Sequence, residues 1–328
     1  MEPKLGDKLG DRYRLLELIG RGGMGSVYQA RDEVLWRDVA VKLFDISVDE
    51  KDVQRQEDEI NTLAGLNHHG LVTLLDAAID RSDADRPRIY FAMELVQGTD
   101  LERRLESGPL SARQIAQIGF DVAEGLQYIH HRGVIHRDIK PSNVLMVEYN
   151  SKSTRARAKL TDFGIALVAR GSRVTGEGLT TGTAAYLSPE QVAKEPVGAA
   201  SDIYSLGLVL LECFTRELAF EGDPIPSALA RLRSDPVIPD HLSADWKGII
   251  RSMTARHPED RPDSSELVLM LRSAVIAETG RHRLPDSVVG EVDQRVAERV
   301  AAASPLPDNV TLIANRQQVR DSEDEIQA

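Results

Sequence analysis

The sequence predicts an α+β fold, and three observations carry that expectation. Strand-like runs crowd the first hundred residues, whereas long helical patterns fill the rest. The glycine-rich stretch Gly20–Gly25, GRGGMG, is followed by two further strand patterns and not by a helix, so no βαβ unit forms around it. A length of 328 residues suits one large two-lobed domain with a tail, or two small domains, and is ample for a sizeable core.

The elements follow in order. Tyr13 to Ile19 mixes charged and apolar residues like an edge strand. Ser26–Arg31 and Trp36–Phe44 read as the next strands, so the glycine turn joins antiparallel partners. Val39-Ala-Val-Lys42 alternates, which sends Lys42 out on the side of Ala40. A helix is expected over Glu50–Leu66, with Ile60, Leu63 and Leu66 roughly on one face and two candidate acids, Glu57 and Glu59. Leu71–Ile79 and Arg88–Leu95 form a strand pair across the charged loop RSDADRP. Leu110–Arg132 is the clearest helix: Ser111 and Gln114 make a capping box, Ile115, Ile118, Val122, Leu126 and Ile129 a buried stripe, and Gly133 a C-terminal stop. Ser201–Phe214 is an apolar helix that Asp202 could cap. Further helices are expected at Ile225–Arg233, Ala244–Ala255 and Ser264–Ala277. After about residue 278, Val288, Val292, Val296 and Val300 allow one short amphipathic helix before an acidic end.

Composition excludes several classes. The net charge of −12 argues against a general nucleic-acid or anionic-membrane binder. A single cysteine, Cys213, rules out an intrachain disulfide or a cysteine zinc framework and fits a reducing compartment. The N-terminus is not a secretory signal, and the longest apolar run, Leu206–Phe214, is too short for a bilayer, which needs about twenty residues.

The chemistry concentrates in His136–Asn143, HRDIKPSN. Asp138 can accept a hydroxyl proton, Lys140 can neutralise charge on a phosphate, and Asn143 offers a hard oxygen suited to Mg²⁺. Pro141 fixes φ and argues for a rigid loop instead of a helix. Val144–Val147 reads as a short strand. A polar, locally basic stretch leads on to Asp162-Phe163-Gly164, where Asp162 is a second hard oxygen ligand.

The order glycine-rich loop, VAVK, HRD…N, DFG resembles the eukaryotic-like (Hanks-type) serine/threonine protein kinases, in wording close to the bacterial ones, over roughly residues 11–275. The resemblance implies a two-lobed protein kinase fold: a small antiparallel β-rich N-lobe with one helix (about 11–95) and a larger helical C-lobe (about 98–277). Residues 1–10 are then an N-terminal extension and 278–328 a tail. It implies ATP and Mg²⁺ as cofactors. Gly20, Gly22 and Gly25 would cover the phosphates, with Ile19, Val27 and Ala40 around the nucleotide. Lys42 would orient the phosphates, held by Glu59, which the family register selects over Glu57. Met93, Glu94 and Val96 would form the hinge that reads adenine. Asp162 and Asn143 would bind Mg²⁺, Asp138 would take the acceptor proton and Lys140 would stabilise the transferred group. His136 is a packing residue in this family, and Asp202 holds the catalytic loop. Glu190, in Ser188-Pro-Glu where the pattern has Ala-Pro-Glu, is expected to pair with Arg261.

Lys140, two residues after Asp138, marks the serine/threonine branch, so the implied partners are protein substrates bearing Ser or Thr. Ala166–Leu187 matches an activation segment. Thr175, Thr180 and Thr181 are its phosphorylation candidates, Thr175 leading, with a homodimer as the vehicle of autophosphorylation. Thr183 resembles the threonine that lines the substrate site. Many bacterial relatives are membrane-anchored, whereas this sequence suggests no anchor, hence a cytoplasmic expectation. Two other classes compete. A pseudokinase scaffold generally loses part of the catalytic set, yet Lys42, Glu59, Asp138, Asn143 and Asp162 are all present. A dinucleotide-dependent oxidoreductase rests on the glycines alone.

Overall fold

The computed structural model describes residues 4–22, 25–47, 65–80, 88–148, 157–162 and 184–281. Strands β1 (Lys8–Leu9), β2 (Tyr13–Gly22), β3 (Gly25–Asp32), β4 (Arg37–Ser47), β5 (Leu74–Asp80) and β6 (Arg88–Glu94) form an antiparallel sheet ordered β1-β2-β3-β4-β6-β5. Lys8–Leu9 departs from the expected extension over residues 1–10. Leu9 pairs with Tyr13, is 1% exposed and fills the outer core, so β2 is not the sheet edge over its first residues.

The pleat sorts side chains onto two faces. Val39, Val41 and Leu43 of β4 join Leu9, Tyr13, Leu15, Tyr28, Tyr90 and Ala92 in a cluster on one face. Ala40 and Phe44 lie on the other, with Phe91 and Met93, in a cluster that continues into the helical lobe. Both lobes belong to one packed unit, Met1–Thr279.

The helical lobe begins with β7 (Gly98–Asp100) and α1 (Leu101–Glu106), two short elements not expected from the sequence, although Asp100 caps α1 by accepting the Arg103 N–H. Next comes α2 (Ala112–His130), whose Ser111–Gln114 capping box is present in both directions and whose stripe Ile115, Ile118, Val122, Leu126 and Ile129 is fully buried. It ends in a Schellman turn: Gly133 (φ 72) donates to His130 O and Val134 to Ile129 O. Strands β8 (Val144–Val147) and β9 (Ala158–Leu160) join β7 in a small antiparallel sheet beside α2. Helices α3 (Pro189–Ala193), α4 (Ala199–Thr215), α5 (Pro224–Ala230), α6 (Ala244–Met253) and α7 (Ser264–Arg281) complete the lobe.

Helix α7 outruns its expected end at Ala277. Trp246 donates its indole N–H to Glu278, which is 6% exposed, so the last turn is part of the packed lobe. Among the described residues no helix is long and apolar enough to cross a membrane.

Candidate active site

Three strands bring the nucleotide candidates onto one face. Val27 opposes Lys42, Lys42 opposes Phe91, and Ala40 opposes Met93, so Val27, Ala40, Lys42 and Met93 point to the same side. Gly20 lies opposite Val27, and Gly22 pairs with Gly25 at the turn. Gly25 has φ 144, and a Cβ there would lie 2.0 Å from Leu43 O, so only glycine lets β3 start this close to β4. Ile19 flanks the turn, 38% exposed. Met93 is buried and Val96 half-buried, and the Glu94 N–H donates to Thr73 O. The Glu94 carboxylate accepts from the Thr73 N–H and from Lys159 on β9, which fastens the strand lobe to the helical one.

Lys42 is 6% exposed, and its Nζ donates to Asp162 Oδ2 at 2.6 Å. Glu59, its expected holder, lies outside the described residues, as do Phe163, Gly164, Thr175, Thr180, Thr181 and Thr183.

The loop before β8 gathers the remaining set. Lys140 Nζ donates to Asp138 Oδ2 at 2.9 Å. Asn143 Nδ2 donates to the Asp138 carbonyl at 2.7 Å and to Oδ2 at 3.1 Å. Pro141–Asn143 forms a single 3₁₀ turn where a plain loop was expected: Pro141 supplies a helical φ at its first position, and the Asn143 N–H closes on Lys140 O. With its amide nitrogen engaged, Asn143 keeps its carbonyl oxygen as a donor atom, and Asp162 has a second carboxylate oxygen beyond the one on Lys42. Two hard oxygens of this kind fit Mg²⁺.

His136 is 0% exposed and acts as a strut. Its Nε2 donates to Thr161 O at 2.9 Å, so its Nδ1 is the acceptor facing the Asp138 N–H at 3.3 Å. One ring thus ties the peptide of Asp138 to the residue before Asp162. Asp202 accepts the His136 N–H at 2.8 Å and the Arg137 N–H at 2.7 Å, and it pairs with His130. Gly198, not Asp202, is the N-cap of α4. Arg137 itself has φ 71, a left-handed conformation that these two bonds help to hold.

Glu190 and Arg261 form a two-pronged pair at 2.7 and 2.9 Å, with Ser201 Oγ at 2.5 Å from Glu190. Burial opposes the Glu190 charge, but the hydrogen bonds from Arg261 and Ser201 outweigh it and hold the carboxyl below its ordinary range. Sequence reasoning missed Gln191, whose Nε2 donates to Arg137 O at 3.0 Å. Its signal was available: Ser188-x-x-Gln191 is a second capping box, present in both directions.

A glycine-flanked strand pair, a buried strand lysine on the carboxylate after β9, and a loop carrying a second carboxylate make up the arrangement of a protein kinase fold. The chain belongs to the protein kinase domain family, which it matches over residues 13–270. It is 38% identical over 263 residues to serine/threonine-protein kinase PknB of Mycobacterium tuberculosis, covering 77% of this chain and 41% of that protein. It is 35% identical over 266 residues to PknA of the same species, covering 80% of this chain and 60% of PknA. The chain therefore spans about two fifths to three fifths of these relatives' length. The crystal structure of the M. tuberculosis PknI kinase domain superposes with a TM-score of 0.62 at 24% identity, covering 83% of this chain and 100% of that one, a likeness of fold.

Proposed function

We propose that this chain transfers the γ-phosphoryl group of ATP to serine and threonine hydroxyls of proteins, its own activation segment included. The observation that supports this most is the joint placement of Asp138, Lys140 and Asn143, hydrogen-bonded to one another, with Asp162 tied to Lys42 across the lobes. The substrate oxygen attacks the γ-phosphorus as the bond to the β–γ bridging oxygen breaks, and ADP leaves. The hydroxyl proton passes to the Asp138 carboxylate, and Lys140 offsets charge on the transferring group. Lys42 orients the α- and β-phosphates, under the turn of Gly20, Gly22 and Gly25. Ile19, Val27, Ala40 and Met93 enclose the base, and backbone groups of Glu94 and Val96 read its edge.

Asn143 and Asp162 would hold Mg²⁺, which when bound adds positive charge between the phosphates. These donors, with Lys42 and Asp138, favour an active enzyme over a pseudokinase scaffold. Likeness to PknB and PknA supports the serine/threonine class. The test is autophosphorylation with Mg-ATP beside an Asp138→Asn control. Label on wild type alone supports the reading, and label on neither refutes it.

A further inference from the structure

Arg231, at the C-terminal end of α5, is 1% exposed. Its Nη1 donates to Leu187 O at 2.5 Å. Its Nη2 donates to Ala185 O at 3.2 Å and to Ser227 O at 3.3 Å, with Ser227 Oγ at 3.4 Å. The guanidinium also lies 5.0 Å from the centroid of the Phe220 ring. Burial pulls its pKa down, opposed by Tyr204.

Burying a cation is unfavourable unless hydrogen bonds replace its water. All four acceptors here are neutral. Two belong to backbone 44 and 46 residues earlier in the chain. A methionine would fill comparable space without desolvating a charge. What the arginine adds is a planar fork that fixes two carbonyls at once.

That backbone is braced from its other side as well. Ser205 Oγ donates to Tyr186 O at 2.7 Å, and the Tyr186 hydroxyl donates to Glu212 at 2.6 Å. Ser188 then caps α3, and Gln191 of that helix bonds the carbonyl of Arg137. Residues 185–191 are thus one ledge, clasped by Arg231 at one end and tied at the other to the peptide that carries Asp138.

We propose that Arg231 is a positioning residue for the phosphoryl acceptor: by holding the carbonyls of Ala185 and Leu187 it sets where a serine or threonine peptide lies relative to Asp138. The inference rests on the kinase reading above and names a residue that acts through the ledge, with no contact to ATP.

The test uses the full chain, Mg-ATP and a synthetic peptide with the sequence of residues 171–185 as acceptor. Arg231→Met is expected to raise the peptide KM about tenfold or more. The ATP KM and the peptide-independent hydrolysis of ATP should stay at the wild-type level. Arg231→Lys keeps the cation but not the fork, and should fall between the two. Should the methionine variant not fold, the lysine variant decides alone, with amide exchange at 185–188 expected to quicken. An unchanged peptide KM in the lysine variant overturns the proposal. So does a parallel fall of peptide transfer and ATP hydrolysis with an earlier melt, which marks a merely structural role. A wild type that labels itself but not the peptide counts against the ledge as the acceptor site. Failure of the kinase reading looks different, because wild type then labels neither itself nor the peptide.

Discussion

Lys42 and Asp162, 120 residues apart, meet at 2.6 Å, and this ion pair joins the strand lobe to the loop after β9. One partner comes from a strand whose alternate residues are core, the other from a residue held in the left-handed region at φ 63. Neither placement is the default of an isolated peptide, so the surrounding fold maintains both.

The first prediction follows from that pair. Lys42→Met and Asp162→Ala should each lower kcat/KM by about 10²-fold or more, because preorganised charge at a transferring phosphoryl group acts mainly on the transition state. Thermal melts should stay cooperative. Steady-state phosphorylation rates of the purified variants check this, and near-wild-type turnover by either would refute the assignment.

Asp202 gives the second. Its carboxylate serves two backbone donors and His130 from a position 1% exposed. Asparagine keeps one oxygen and turns an NH₂ toward groups that donate. Asp202→Asn should therefore cost about 1–3 kcal/mol, and loosen the loop of Asp138. Urea melts measure the first effect, and the phosphorylation rate measures the second.

Glu190 sets the third. Because its carboxyl is depressed in the folded state, its contribution to stability is present above the unfolded pKa of about 4.3 and fades as pH falls through the folded value. Arg261→Met should destabilise the protein by about 3–5 kcal/mol at neutral pH by leaving a buried carboxylate unpaired. The gap between wild type and variant should narrow on acidification. Melts at pH 7, 5 and 4 test the sign, and a gap that widens on acidification would contradict it.

Helix α7 sets the fourth. A chain ending after Arg281 should melt like the full-length protein. One ending after Ala277 loses the Glu278 acceptor of Trp246 and should melt several degrees lower, since about 1 kcal/mol corresponds to roughly 2–4 °C in a domain of this size. Calorimetry of the two truncations decides it.

The fifth concerns the activation segment. Autophosphorylation is expected within Thr175–Thr181, with Thr175 foremost, and activity should rise with it, because a phosphate brings nearly two negative charges and Arg137, beside Asp138, carries the opposite charge. Phosphopeptide mapping against Asp138→Asn reads the sites. Full activity of a Thr175, Thr180 and Thr181 triple alanine variant would remove the segment as the switch.

Much of the site was legible because its residues act close to where they sit in the chain. Asp138, Lys140 and Asn143 share one loop, and the alternation of Val39–Lys42 alone aims Lys42 at the face of Ala40. The Ser111–Gln114 cap and the Gly133 stop are likewise local. Arg231 was not legible, since its targets are two carbonyls, and a carbonyl leaves no trace in side-chain identity. Glu278 looked like a residue beyond the fold, because Gly280 weakens a helix locally, whereas Trp246, from another helix, keeps that turn packed. Lys8–Leu9 is too short to show a strand period, and only burial of Leu9 reveals it. Asp202 could be read as a cap or as a loop clamp. Geometry selects the clamp, because α4 begins at Ala199, four residues earlier than an Asp202 cap would require.

The two-faced β4 also edits its own pairing. A slip of one residue against β3 would turn Val41 and Leu43 toward the cleft and press the Lys42 ammonium among Tyr28, Ala30 and Leu15. A charge stranded among those apolar side chains loses its water and its Asp162 partner, so the misaligned ladder is penalised at Lys42 itself. The lysine proposed to orient the nucleotide is thereby also a proofreading mark for assembly of the sheet.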